Sequence, residues 1–310
     1  MRTVFLKRLC WVGIGCLIFG LVLRPSRGQD WFSTGINLGA AKIRLAVSPF
    51  QPVTSDPALS KLTTEFNQVL WNDLDESGIV DLVSKSNYPL RLPRDPEEVD
   101  FKAWTDPPAA AHMLAFGKTE VLNGNLVPTA RLYDVGNTGN PSVLAKRYVT
   151  APNEVSARAA AHRFANEIIQ ALGGGIPGIA LSRIAFVSSR TSHSEIWVMD
   201  YDGYDQRPIT NFGSLSLTPR WSPDDTRIAY TSYLRGNPDI YVFSLETYRG
   251  VPFPRFRGLN TTPAWSPDGR HLVFESNRSG SKQVWTMLAD GSNPRQLTTK
   301  GENWNPSWSN

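Results

Sequence analysis

Beyond residue 28 the sequence contains no cysteine; both of its cysteines, Cys10 and Cys16, precede that point. The remainder therefore has no disulfide and no thiolate to hold a metal. Long apolar runs are missing as well. The longest, Leu9 to Leu23, has 15 residues, short of the roughly 20 that a membrane-spanning helix needs. No Gly-x-Ser-x-Gly elbow, His-Glu-x-x-His pair, phosphate loop or dinucleotide fingerprint after a strand occurs, which removes the readings those motifs would carry. Histidine is scarce: His112, His162, His193 and His271 are the four, and each reads as a packed or solvated side chain. The sequence thus offers no catalytic residue, no cofactor-binding residue and no metal ligand. With 41% apolar and 19% charged residues, the composition is that of a globular protein.

The N-terminus has a different character. Arg2, Lys7 and Arg8 precede the 15-residue apolar stretch, and Arg24-Pro25-Ser26-Arg27-Gly28 breaks it. This is the layout of a secretory signal over residues 1–28, with cleavage expected after Gly28. An uncleaved N-terminal anchor is the alternative. Cys16 lacks the Leu-Ala-Gly context of a lipoprotein cysteine, and no twin-arginine pair precedes the stretch. The segment holds five basic residues and no acid; removing these five from a formal charge of +4 leaves −1. The basic balance belongs to the signal and gives no reason to expect a nucleic-acid partner. An exported chain without cysteines fits a bacterial periplasm and is stabilised by core burial alone.

What the sequence does have is a repeat. Arg183-Ile184-Ala185-Phe186, Arg227-Ile228-Ala229-Tyr230 and His271-Leu272-Val273-Phe274 each open a unit. Ile196-Trp197-Val198-Met199, Ile240-Tyr241-Val242-Phe243 and Val284-Trp285-Thr286-Met287 follow as alternating strands, and Pro219-Arg220-Trp221-Ser222, Pro263-Ala264-Trp265-Ser266 and Pro306-Ser307-Trp308-Ser309 close the units. Matching positions lie 44 residues apart, or 43 at the last Pro and Trp. That period, built from short strands and turns, is the mark of β-propeller blades, which must stack to bury their faces. Each unit reads as four strands. Trp221 and Trp265 are expected to be buried between neighbouring blades. The Asp residues of Ser-Pro-Asp-Asp/Gly are explained as turn residues without a metal, and nothing in the sequence selects ligands for a cation on the propeller axis.

Residues 29–178 read as mixed α/β. Ile43 to Val47 and Ile79 to Val83 are strands. Asp56 caps a helix with Pro57 in its first turn, a stripe of Leu59, Leu62, Phe66, Val69, Leu70 and Leu74, and a stop at Gly78. Met113 to Val121 and Leu126 to Leu132 form a hairpin about Asn123-Gly124-Asn125. Val143 to Val149 is a further strand. Asn153 caps a second helix with Val155, Ala161, Ala165, Ile168 and Leu172 on its buried face, ended by Gly173-Gly174-Gly175. The fold class is α+β: a small two-layer α/β N-terminal domain over 29–178, followed by an all-β propeller over 179–310.

Three stretches carry a resemblance to a known family. Ser182-Arg183-Ile184-Ala185-Phe186-Val187 followed by Asp200-Tyr201-Asp202-Gly203-Tyr204, Lys42 to Phe50, and the helix around Ala161-His162-Arg163 are similar to the TolB family, the periplasmic component of the Tol–Pal system of Gram-negative bacteria. The resemblance covers nearly the whole chain. It implies a non-enzymatic, protein-binding scaffold of outer-membrane integrity and cell division. It also implies two partners: a peptidoglycan-associated outer-membrane lipoprotein on the propeller face, and the inner-membrane protein TolA at the mature N-terminus. Here that N-terminal segment includes Asp30, Trp31, Phe32, Ser33, Thr34 and Gly35, with Trp31-Phe32 where a smaller aliphatic start is expected. The blade motif recurs in other propellers, so the lid of an exported peptidase and a sugar- or ligand-binding propeller stay open as alternatives. The family has six blades and this chain has three units, too few to close a ring. A deletion, a fragment, or a half-propeller that pairs with a second copy as a homodimer would each account for that number.

Overall fold

The computed structural model describes residues 42–174 and 178–309, so the signal reading over residues 1–28 lies outside the described residues. The first unit is a sheet with helices. Its strands are β1 (Ile43–Val47), β2 (Gln51–Pro52), β3 (Val80–Leu82), β4 (Met113–Leu122), β5 (Asn125–Asp134) and β6 (Ser142–Arg147). They run in the order β3-β1-β4-β5-β6, with β2 beside β4. β1 is parallel to both β3 and β4, whereas β4, β5 and β6 are antiparallel.

The helices α1 (Pro57–Glu76) and α3 (Glu154–Leu172) cover one face. Strand alternation sends Leu45, Val47, Met113 and Ala115 to that side, where they meet Phe66, Leu70, Phe164 and Ile168. The opposite face has its own cover. Ala46, Leu114, Phe116 and Tyr133 pack there against Trp104 of α2 (Phe101–Thr105), with Tyr88 beside them. This layer adds to the two layers expected. Its segment carries no periodic apolar pattern, which is why no element was expected there.

The helix ends follow the expected chemistry. Asp56 Oδ1 accepts from the Ala58 amide at 3.0 Å, and Asn153 Oδ1 from the Ser156 amide at 2.9 Å. Gly78, just past α1, has φ +64°. Every residue of the α1 stripe is buried. Val155 is not: it is 73% exposed in the first turn of α3. Its six-residue offset from Ala161 turns it away from the buried positions Ala157, Ala161, Ala165, Ile168 and Leu172.

The rest forms three antiparallel sheets with the look of propeller blades. The first is β7 (Arg183–Ser188), β8 (Glu195–Asp200) and β9 (Arg207–Pro208). The second is β10 (Ser216–Trp221), β11 (Arg227–Arg235), β12 (Asn237–Ser244) and β13 (Arg249–Val251). The third is β14 (Asn260–Trp265), β15 (His271–Ser276), β16 (Gln283–Leu288) and β17 (Arg295–Gln296). The sheets stack through apolar layers. Ile196 and Val198 meet Ile228 and Tyr230, while Ala229, Ile240 and Val242 meet Leu272 and Phe274. Among the described residues no helix is long and apolar enough to cross a membrane.

Three expectations about the repeat are corrected. The Pro-x-Trp strand does not complete the sheet of its own unit; Trp221 pairs with Ile228 and Trp265 with Leu272, so it begins the next sheet. The third copy, around Pro306, forms no strand among the described residues, and Trp308 is 42% exposed. Equivalence of the tryptophans also fails. Trp265 is buried, with Nε1 donating to the Arg220 carbonyl at 3.2 Å, whereas Trp221 is half-buried and its Nε1 has no partner. The sheet that would cover Trp221 is the three-stranded one, which offers less surface than the four-stranded sheet over Trp265.

Candidate functional site

The most concentrated chemistry lies where α1 and α3 meet the turn between β8 and β9. The α3 helix presents Glu154, Arg158 and His162 at four-residue spacing, one face of a helix. Parallel to it, α1 offers Lys61, Glu65 and Asp73. The end of β8 supplies Asp200 and the turn after it Asp202 and Tyr204, held in place by Gly203 at φ +79° and by the Tyr204 amide donating to Asp202 Oδ1 at 3.1 Å.

Arg158 is the hub. It is 6% exposed, and its two terminal nitrogens donate to Glu65 of α1 and Asp202 of the turn. Its guanidinium lies 3.6 Å from the centre of the Tyr204 ring, a cation–π contact. Tyr204 Oη also donates to Glu154 Oε1 at 3.3 Å, and Lys61 pairs with Glu154 at 3.5 Å. Four residues deeper, His162 Nδ1 and Asp73 Oδ2 are 2.7 Å apart. Burial pushes the Asp73 carboxyl above the usual carboxylate range, against the opposing pull of His162. His162 Nε2 and Asp73 Oδ1 have no hydrogen-bond partner. The arrangement can seat the sheets on the helices through paired charges, and it gathers more carboxylates than cations.

A second feature lies at the opposite ends of the strands. Arg235, Arg255 and Arg257 line a pocket with Asp239, Tyr241 and Phe256. Three arginines lining one pocket suit a carboxylate-bearing guest. Burial, the largest influence on Asp239, raises its carboxyl above the usual range.

The sequence-derived positions fall as follows. Asp30, Trp31, Phe32, Ser33, Thr34 and Gly35 lie outside the described residues. His112 accepts from the Arg44 amide at 3.2 Å through Nδ1, and His193 is exposed in its loop. Asp224 and Asp268 each accept from the serine two residues back, Ser222 and Ser266, which accounts for them as turn residues. His162 is the packed histidine expected, but its partner Asp73 and the hub Arg158 were not singled out. Their contacts span 89 and 44 residues, and a single sequence gives no signal at such separations.

Comparison with known proteins agrees with both halves of the chain. The model of the TolB amino-terminal domain matches residues 36–140, and that of the TolB beta propeller domain matches residues 172–310. The Tol-Pal system protein TolB of Nitrosospira multiformis is 34% identical over 216 residues, 69% of this chain and 46% of that protein. The TolB of Geobacter metallireducens is 33% identical over 210 residues, 67% of this chain and 46% of its own length. Among solved structures, TolB from Acinetobacter baumannii superposes with a TM-score of 0.68 at 25% identity, covering 84% of this chain and 61% of that one. The chain spans less than half the length of the curated relatives it matches.

Proposed function

The chain belongs to the TolB family, and on that premise we propose that it is a non-enzymatic, periplasmic protein-binding scaffold of a Tol–Pal system. In this reading the propeller face takes the peptidoglycan-associated lipoprotein, and residues 29–39, with Asp30 to Gly35 at their centre, reach TolA. Its role is support of outer-membrane integrity and of envelope invagination during division. The observation that carries the reading is the junction at Arg158. One buried guanidinium ties both helices to the first turn of the sheets, which suits a body that presents two partners in a fixed relation. The pocket of Arg235, Arg255 and Arg257 is the part of the propeller face suited to an acidic partner segment.

The test is binding of the exported, signal-free protein to the purified periplasmic domains of the lipoprotein and of TolA. Deleting residues 29–39 is expected to abolish TolA binding and leave lipoprotein binding intact. Charge reversal at Arg235 and Arg257 is expected to do the opposite. Failure to bind either domain, or peptide-bond hydrolysis above background, overturns the reading.

A further inference from the structure

We propose that His162, Asp200 and Asp202 form a binding site for a first-row divalent cation, with zinc as the reference ion, at the junction between the helices and the first sheet. One ring nitrogen of His162 and one carboxylate oxygen from each aspartate lie within 4.8 Å of one another. Bonds of about 2.0–2.2 Å around one tetrahedral ion set the ligand atoms roughly 3.4 Å apart, so the bound ion would draw the three groups together by up to about 1.4 Å.

The aspartates alone would not make a site. The independent observation is His162. Its side chain is 9% exposed, yet Nε2 has no hydrogen-bond partner. Nδ1 is engaged by Asp73 Oδ2 at 2.7 Å. A carboxylate behind one imidazole nitrogen fixes the proton there and leaves the lone pair on the other, the arrangement that supports a metal-bound histidine from behind. Asp202 is organised in the same way. Its Oδ2 accepts from Arg158 and its Oδ1 from the Tyr204 amide, and each oxygen keeps a second lone pair. Two of the three ligands, His162 and Asp202, are thus oriented before any ion arrives.

Charge points the same way. Glu65, Asp73, Asp200 and Asp202 converge here on Arg158 as the one guanidinium among them. Four carboxyl groups gather around one guanidinium, and a dication offsets part of that excess of acidic groups. One imidazole and two carboxylates suit a borderline ion such as zinc better than calcium, which takes six to eight oxygens. Because the ligands come from α3 and from the β8–β9 turn, the bound ion would join the two units. The inference does not depend on the scaffold reading above.

The experiment uses the tag-free, signal-free full chain, stripped with chelator. Titration calorimetry with zinc is expected to show one site per chain, and zinc is expected to raise the melting temperature. Cobalt in its place is expected to give a visible d–d band, a signature that an ion-pair junction without a metal cannot produce. His162→Gln and Asp200→Asn are each expected to weaken zinc binding at least about tenfold. Asp200→Asn guards against misfolding of the first variant, since Asp200 is half-buried where His162 is buried. Absence of zinc binding by the folded parent overturns the proposal. So does unchanged binding in folded Asp200→Asn, which would place the ion elsewhere.

Discussion

Asp73 of α1 and His162 of α3 face each other at 2.7 Å with side chains 0% and 9% exposed. The contact crosses the helix pair that covers the sheet, so it fixes the register of one helix against the other. Breaking it from the two sides has unequal consequences. In metal-free buffer, His162→Phe leaves a carboxylate buried without a partner and is expected to cost about 3–5 kcal/mol. Asp73→Asn keeps a hydrogen-bonding group and is expected to cost about 1 kcal/mol. Urea denaturation of the two variants beside the parent measures the difference, and equal losses would show that the buried charge is not the issue.

Arg158 couples the two units, so its loss should uncouple them. Arg158→Met retains the apolar stem but strands Asp202, whose side chain is 4% exposed, and Glu65, whose side chain is 27% exposed. The expected cost is about 3 kcal/mol, toward the lower end for a broken buried pair because Glu65 still reaches water. Scanning calorimetry should show the single transition of the parent separating into two. A variant that still melts in one step would mean that the apolar contacts, not the ion pairs, join the units.

The repeat suggests equal roles for Trp221 and Trp265, and the structure does not give them. Trp265→Ala is expected to cost about 3–5 kcal/mol, as for a buried large aromatic. Trp221→Ala should cost clearly less, since Trp221 is only half-buried and its Nε1 bonds nothing. Paired denaturant midpoints decide it.

That contrast marks the limit of what could be read from the residues. The stripe from Leu59 to Leu74, the Asn123-Gly124 hairpin and the first two strands of each unit are local patterns, and all three are where they were expected. Sheet membership across a unit boundary is not local, so the Pro-x-Trp strand was placed with the wrong neighbours. The residue before the Trp strand carries a further local signal. Glu195 and Gln283 sit at one repeat position, are buried, and accept from Thr210 Oγ1 and Thr298 Oγ1 of the loops that follow. A polar residue recurring at a strand start is a visible signal for such a loop anchor. The junction had no such signal. His162 and Asp202 each stood in a stretch of family resemblance, but only folding brings them together.

Gly117 tests the sheet's packing. It lies in β4, and a Cβ there would sit 2.0 Å from the Thr129 carbonyl oxygen and 2.5 Å from Phe50 Cε1. Phe50 packs tilted against Phe66 and edge-on to Phe164 and has little room to retreat. Gly117→Ala is therefore expected to cost about 3 kcal/mol, at the upper end for overpacking. Gly124, in the hairpin turn at φ +77° with open space around it, serves as the control. Gly124→Asn tolerates that backbone and should cost only a few tenths of a kcal/mol. Comparable losses at both positions would contradict the close approach of Phe50.

The turn at Asp224 makes a prediction about pH. Asp224 Oδ1 accepts from Ser222 Oγ and from the amide and hydroxyl of Thr226. The Ser222 bond is the largest influence, and together these hold the carboxyl down from 3.8 to about 2. A carboxyl depressed by folding stabilises the native state above its unfolded value, and that contribution is lost as pH falls from about 4 through about 2. More than half of the side chain is exposed, 53%, so solvent screening keeps the effect small. Asp224→Asn should lower the denaturant midpoint near neutral pH, where the parent carries the ionised acceptor. The two proteins should converge as pH falls through about 2, where the parent carboxyl takes up its proton. The check is a set of denaturant midpoints for both proteins across that range, and a gap independent of pH would assign the turn's stability to its backbone instead of to the charge on Asp224.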